Sequence, residues 1–299
     1  MTDAFCGLGV ALVTPFQPDG TPDTAALGRL VEYLIAGGVD YLVPLGTTGE
    51  SVTLTEAEQL TVLETVFSVN NGRKPVLVGA GGNDTAKIVK TIKTFAAAFP
   101  VDGFMSVSPY YNKPSQTGIY HHYLTVASAT DRPLVLYNVP PRTGSNVCAD
   151  TTLRLAHDVP HIVAVKEASG SLEQIGVIVR DRPAGFRVLC GDDSIALPSI
   201  AIGCDGLVSV LGNGLPHAVS QLVGAALSGQ LAEARAWHLR LLSAIELIFA
   251  EGNPTGIKAL VELVGIGSRS VRQPLWPASD ALVEQLRALL PLATLPQAA

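Results

Sequence analysis

Eight short apolar runs are spread along most of this 299-residue chain, and nowhere are two of them joined as a hairpin. They occupy residues 8–13, 41–45, 75–78, 103–107, 134–137, 162–165, 187–189 and 206–210. Each is almost continuously apolar, the pattern of parallel strands covered on both faces. Segments of helical character lie between them, at 25–35, 55–69, 84–98, 117–129 and 171–179. Thr55 and Glu58 have the spacing of a capping box at the start of one. Eight strand–helix units in succession predict an α/β fold, a closed (β/α)8 TIM barrel. A doubly wound open sheet is the alternative. Such a sheet more often carries a dinucleotide fingerprint, and Gly79–Ala80–Gly81–Gly82–Asn83 lacks the third glycine of one, so it reads as a tight loop.

From Pro216 the pattern changes, with apolar helical runs at 217–227, 231–249, 256–264 and 278–290 and no further strand. These predict a C-terminal helical extension packed on the barrel or on a neighbouring subunit. The expected organisation is a catalytic barrel over 1–225 and a helical domain over 226–299.

Composition narrows the function classes. With 47% hydrophobic and 15% charged residues, the chain can bury one large core, or one core and a smaller one. A formal charge of -6 argues against nucleic acid or an anionic membrane as the main partner, so any anion site must be local. Cys6, Cys148, Cys190 and Cys204 form no CxxC pair, which suggests reduced thiols in a cytoplasmic protein rather than zinc or a disulfide framework. The first apolar run has Asp3 before it and no basic residue, unlike a signal peptide. No apolar run approaches the roughly 20 residues that span a bilayer. The mean hydropathy of +0.34 then reflects a packed interior or buried subunit contacts.

In a barrel of this kind the chemistry sits at the C-terminal ends of the strands. Those ends carry Thr14, Gly46–Thr47–Thr48–Gly49–Glu50, Gly81–Gly82–Asn83, Ser108–Pro109–Tyr110–Tyr111, Tyr137–Asn138 with Arg142, Lys166–Glu167, Gly191–Asp192–Asp193 and Ser209. An amine, phenols, hydroxyls and a guanidinium are gathered there. His121, His122, His157, His161, His217 and His238 fall elsewhere, and Asp192 with Asp193 is too few for a metal-dependent aldolase, so neither metal nor cofactor is expected.

Lys166 closes an apolar strand, and Tyr137 and Arg142 follow the strand before it. An amine attacks a ketone only when unprotonated, a state favoured by apolar burial and a neighbouring cation. The imine it forms is an electron sink, so an adjacent methyl group can lose a proton and become a nucleophile. Tyr137 is the candidate to move that proton, with Thr47 and a second tyrosine as relay. Thr48 and the amides of the Gly46–Gly49 turn suit a carboxylate. The plainer readings are an ion pair between Lys166 and Glu167, a barrel-lining role for Tyr137, and a simple turn at Gly46–Gly49.

These residues sit in a recognisable set of motifs: GTTGES at 46–51, SPYYNKPSQTGIY within 106–120, YNVPPRTG at 137–144, VKEASG at 165–170, GDD at 191–193 and NPTGIKA at 253–259. Over essentially its whole length the chain resembles the dihydrodipicolinate synthase family of pyruvate-dependent class I aldolases. The resemblance implies that Lys166 forms a Schiff base with pyruvate, and that Tyr137, Thr47 and Tyr111 relay protons, Tyr111 from a neighbouring subunit. It places Thr47 and Thr48 at the pyruvate carboxylate, Arg142 at the carboxylate of L-aspartate 4-semialdehyde, and Gly191 and Val208 in the pocket lining. The implied product is 4-hydroxy-tetrahydrodipicolinate, and the implied assembly is a homotetramer, a dimer of dimers. A related aldolase or lyase acting on a keto sugar acid is the alternative, which Arg142 and the double tyrosine disfavour. A catalytically silent barrel that binds a small acid is a third reading, and the joint presence of Lys166, Tyr137, Thr47 and Arg142 speaks against it.

Two departures stand out. The family tail motif often reads NPIPVK, whereas Thr255–Gly256 follows Pro254 here, a change expected to loosen a turn without touching a catalytic group. The positions matching the family's lysine-feedback site are Ser51, Glu56, Gln59, Asn83, Lys87 and Tyr110. Sensitive members carry an acid where Lys87 stands, so an ammonium there predicts weak or absent lysine inhibition.

Overall fold

A computed structural model describes residues 5–293. Two compact units are distinguished, one built on Val76–Val208 and the other on Gly7–Pro75 with the chain from Ser209 onward. The second unit opens with β1 (Gly7–Ala11), α1 (Thr24–Ala36), β2 (Tyr41–Val43) and α2 (Glu56–Asn70). β1 and β2 are parallel, with Gly9 opposite Tyr41. A Cβ at Gly9 would lie 2.2 Å from the Tyr41 ring, so the buried phenol occupies the space a side chain would need. Asp23 caps α1 by accepting from the Ala26 N–H, and Thr55 with Glu58 forms the expected capping box on α2.

The first unit contains β3 (Leu77–Gly79), α3 (Thr85–Ala98), β4 (Gly103–Val107), α4 (Gln116–Ala127), β5 (Leu134–Asn138), α5 (Pro140–Thr143), α6 (Ala149–Asp158), β6 (Ile162–Glu167), α7 (Leu172–Asp181), β7 (Arg187–Cys190), α8 (Ala196–Ala201) and β8 (Gly206–Ser209). Its strands pair in chain order, every pair parallel. β5 and β8 are buried at every position and β6 at all but Val163, as strands covered on both faces should be. In the other unit, α9 (Pro216–Leu227), α10 (Leu231–Phe249), α11 (Thr255–Leu263) and α12 (Asp280–Arg287) come next. Among the described residues eight strands, parallel within each unit, alternate with helices and are followed by a run of helices, which is the (β/α)8 order with a C-terminal extension. No helix among the described residues is long and apolar enough to cross a membrane.

Three differences from the sequence reading have physical causes. β1 stops at Ala11 because the Val13 N–H is taken by the Asn213 side chain at 3.0 Å rather than by a strand. α6 escaped notice because its buried face includes Thr151 and Thr152 beside Leu155 and Ala156, which blurs the apolar period. α8 carries Pro198 in its first turn, where a missing N–H costs nothing. Residue 225 lies within α9.

Candidate active site

Strand register sets the first group of residues. In parallel β5 and β6, Tyr137 is paired with Lys166 and Asn138 with Glu167. Side chains alternate across a strand, so Lys166 and Glu167 leave β6 on opposite faces. Lys166 is 4% exposed, and its Nζ stands 4.2 Å from the centroid of the Tyr137 ring. Among the described residues it forms no ion pair. Glu167 is fully buried and engaged on the other face. Its carboxylate accepts from Asn138 Nδ2 at 3.0 and 3.1 Å, from Gln174 Nε2 at 2.8 Å and from the Ser169 N–H at 2.8 Å. An ion pair between the two neighbours is thereby ruled out. The amine meets an aromatic face, and a set of amides holds the acid behind it.

Gly191 follows β7 and donates its N–H to the Glu167 carbonyl at 2.8 Å. A Cβ there would lie 2.7 Å from the Ala168 methyl and 3.0 Å from Lys166 Cε. The stem of Lys166 therefore runs over bare backbone. Val208 is fully buried on β8. Tyr111 is 86% exposed and has φ 73°, while Arg142 sits exposed in the short α5. The Tyr111 N–H donates to the Thr143 carbonyl at 3.3 Å, tying the double-tyrosine loop to the Arg142 turn.

In the other unit, Thr47–Gly49 is a single 3-10 turn. It is flanked by Leu45 at φ 58° and Glu50 at φ 53°. Neither residue type favours left-handed backbone, which persists only where the surroundings over-determine it. Thr48 is buried, and Thr14 Oγ1 donates to the Gly49 carbonyl at 2.7 Å. Asn253 Nδ2 donates to Thr48 Oγ1 at 3.1 Å. The tail motif thus reaches a proposed substrate-binding group through Asn253, a residue outside the Thr255–Gly256 change. Gly256 does not loosen a turn. It lies in α11, and a Cβ on it would fall 2.4 Å from the Ile248 carbonyl oxygen of α10, so the glycine permits close helix packing.

Sequence reasoning also passed over Glu50 and Lys258. Lys258 Nζ lies 2.5 Å from Glu50 Oε1, with both side chains at most 2% exposed. Burial pushes the Lys258 pKa down to about 8, against the pull of Glu50. The signal was present: a lone lysine inside the apolar stretch Ile257–Val261, and an acid ending GTTGE.

Of the lysine-site positions, Gln59 Nε2 donates to the Ser51 carbonyl at 3.1 Å, and Glu56 begins α2. Lys87 is exposed on the first turn of α3, Asn83 is exposed and accepts from Asn112 Nδ2 at 3.2 Å, and Tyr110 is half-buried. No group of three or more His, Cys, Asp or Glu among the described residues can hold a metal ion.

Comparison with known proteins identifies the family. The model of the dihydrodipicolinate synthetase family matches residues 4–293. A 4-hydroxy-tetrahydrodipicolinate synthase of Azobacteroides pseudotrichonymphae is 45% identical, over 95% of this chain and 96% of its own length. One from Flavobacterium psychrophilum is 46% identical over the same shares. The crystal structure of dihydrodipicolinate synthase from Aquifex aeolicus superposes with a TM-score of 0.93 at 39% identity, covering 98% of this chain and 99% of that one. With a family model spanning nearly its whole length, and relatives this similar from end to end, the chain belongs to the dihydrodipicolinate synthetase family and has its (β/α)8 barrel fold.

Proposed function

We propose that this chain is a lyase that condenses pyruvate with L-aspartate 4-semialdehyde to give 4-hydroxy-tetrahydrodipicolinate, the first committed step toward diaminopimelate and lysine. Full-length relatives with that activity in their names support it. The observation that carries it in this chain is Lys166, a buried amine at a strand end with an aromatic face beside it and, among the described residues, no carboxylate paired to it.

Lys166 Nζ adds to the pyruvate carbonyl carbon, and loss of water leaves an imine. Withdrawal of electrons into the imine lets the pyruvate methyl give up a proton, with Tyr137, Thr47 and Tyr111 as the relay. The resulting enamine carbon bonds to the aldehyde carbon of the semialdehyde, whose oxygen takes a proton. The semialdehyde amine then displaces Lys166 from the imine carbon, closing the ring and freeing the lysine. Thr47 and Thr48 hold the pyruvate carboxylate. Gly191 and Val208 line the pocket, and Arg142 takes the second substrate's carboxylate through its planar fork. The high exposure of Tyr111 accords with its donation to a neighbouring subunit, in a homotetramer made of two dimers. Four free cysteines, two of them buried, accord with a cytoplasmic setting.

Borohydride reduction in the presence of pyruvate tests this reading. A stable adduct on the peptide holding Lys166 is expected, with none in Lys166→Ala. Arg142→Ala should still trap pyruvate while its KM for the semialdehyde rises strongly. Full condensing activity in Lys166→Ala, or an adduct on another lysine, would refute it.

A further inference from the structure

We propose that Lys258 and Glu50 are positioning residues: their buried ion pair, together with the Asn253 side chain, sets the Thr47–Gly49 turn so that Thr48 presents its hydroxyl hydrogen to the pyruvate carboxylate. The inference rests on the proposed function, in which Lys166 forms an imine with pyruvate while Thr47 and Thr48 bind its carboxylate.

Each oxygen of the Glu50 carboxylate has a different partner. Oε1 takes Lys258 Nζ at 2.5 Å, and Oε2 takes the Arg272 backbone N–H at 2.8 Å. Arg272 is itself engaged by Glu58, by the Thr53 carbonyl at 2.6 Å and by the Gly20 carbonyl at 2.7 Å. Phe16 supplies the remaining wall, its ring centroid 3.9 Å from Lys258 Nζ and 4.7 Å from the Arg272 guanidinium. Two cations thus face one ring, and the acids paired with them balance their charge.

Removing two charges from water usually costs at least as much as their attraction returns, so a pair of apolar side chains would stabilise the site as well. Conformational control is the better account. Glu50 is the left-handed residue immediately after the threonine turn, and its side chain is anchored at both oxygens. Fixing that side chain fixes the turn. Asn253, five positions before Lys258, adds the second hold. A hydroxyl has one hydrogen and two lone pairs. By giving a hydrogen to Thr48 Oγ1, the Asn253 amide occupies a lone pair and leaves the Thr48 hydrogen free to donate to an anion.

The test compares Lys258→Met alone with the double variant Glu50→Gln, Lys258→Met, using purified full-length protein. Removing one partner leaves the other charge buried and unpaired, so the single variant is expected to be unstable; the double variant restores neutrality and is expected to fold. In the double variant the pyruvate KM should rise about tenfold or more through lost orientation. Its KM for the semialdehyde should stay within twofold, and borohydride trapping at saturating pyruvate should still go to completion on Lys166. A folded double variant with the wild-type pyruvate KM would overturn the inference and reduce the pair to a structural element. An equal rise in both KM values would overturn it too. Failure of the unaltered protein to trap pyruvate on Lys166 would instead strike the reading beneath it, so the two failures are told apart.

Discussion

Replacing Gly191 with alanine should impair the nucleophile without touching it chemically. Gly191 is not among the glycines with left-handed backbone, so alanine meets no conformational penalty there. The penalty is steric. The new methyl would lie 2.7 Å from the Ala168 Cβ, 3.0 Å from Lys166 Cε and 3.1 Å from Lys166 Cγ. Ordinary carbon contacts are about 3.5–4.0 Å. Ala168 is a short side chain fixed to its backbone, so it can move only with the chain, whereas the flexible lysine stem can yield, by about half an ångström on that contact distance. Misplacing a reacting atom by 1 Å costs about a hundredfold, so half that displacement costs on the order of tenfold. Overpacking adds a destabilisation of about 1–3 kcal/mol. The assay is the rate of borohydride-trapped adduct formation in a single turnover, set beside kcat/KM for pyruvate and a melting curve. Gly176→Ala is the control: nothing lies within 4 Å of a Cβ at that helical position, so the variant should react at the normal rate. Adduct formation at the unaltered rate in a folded Gly191→Ala would refute the reasoning.

Two further outcomes follow from other parts of the molecule. His122 is 6% exposed, its Nδ1 2.8 Å from Thr85 Oγ1, and burial pushes its pKa from 6.5 down to about 4. The unfolded chain therefore takes up the proton first, so stability falls as pH drops below about 6.5 and the loss is complete only below about 4, amounting to about 2 kcal/mol at pH 5. Urea midpoints at pH 7 and pH 5 should differ less for His122→Gln than for the parent; an equal difference would remove His122 from the account. Exposed Lys87 should repel an incoming lysine ammonium, so millimolar L-lysine is expected to leave turnover unchanged. Half-inhibition at sub-millimolar lysine would contradict this.

Much of the fold was legible because it rests on period. β4 lies where the apolar run places it, and α10 coincides with its predicted span, since a long helix needs many residues to agree. Lys166 and Tyr137 could be singled out because polar groups at the ends of apolar strands are conspicuous. The supporting groups were hidden for a different reason. Glu167, Asn138, Asn146 and Gln174 are linked by side-chain hydrogen bonds that no linear spacing encodes. Lys258 and Glu50 are 208 positions apart, so a lysine in an apolar stretch and an acid closing a turn give no sign in the sequence that they meet. Asn253 meets Thr48 across a similar separation. Single motifs reveal what each residue type can do, whereas such pairings are made only when the chain folds.

The two-residue period of β6 has a consequence for how this chain can change over evolutionary time. One residue inserted into or removed from Ile162–Val165 would rotate the strand's remainder by half its repeat, turning the carboxylate toward the tyrosine ring and the amine toward the amide cluster. Composition and hydropathy would scarcely alter, yet the nucleophile would be gone. The parity of that strand's length is thus as much a part of the inheritance as the lysine itself.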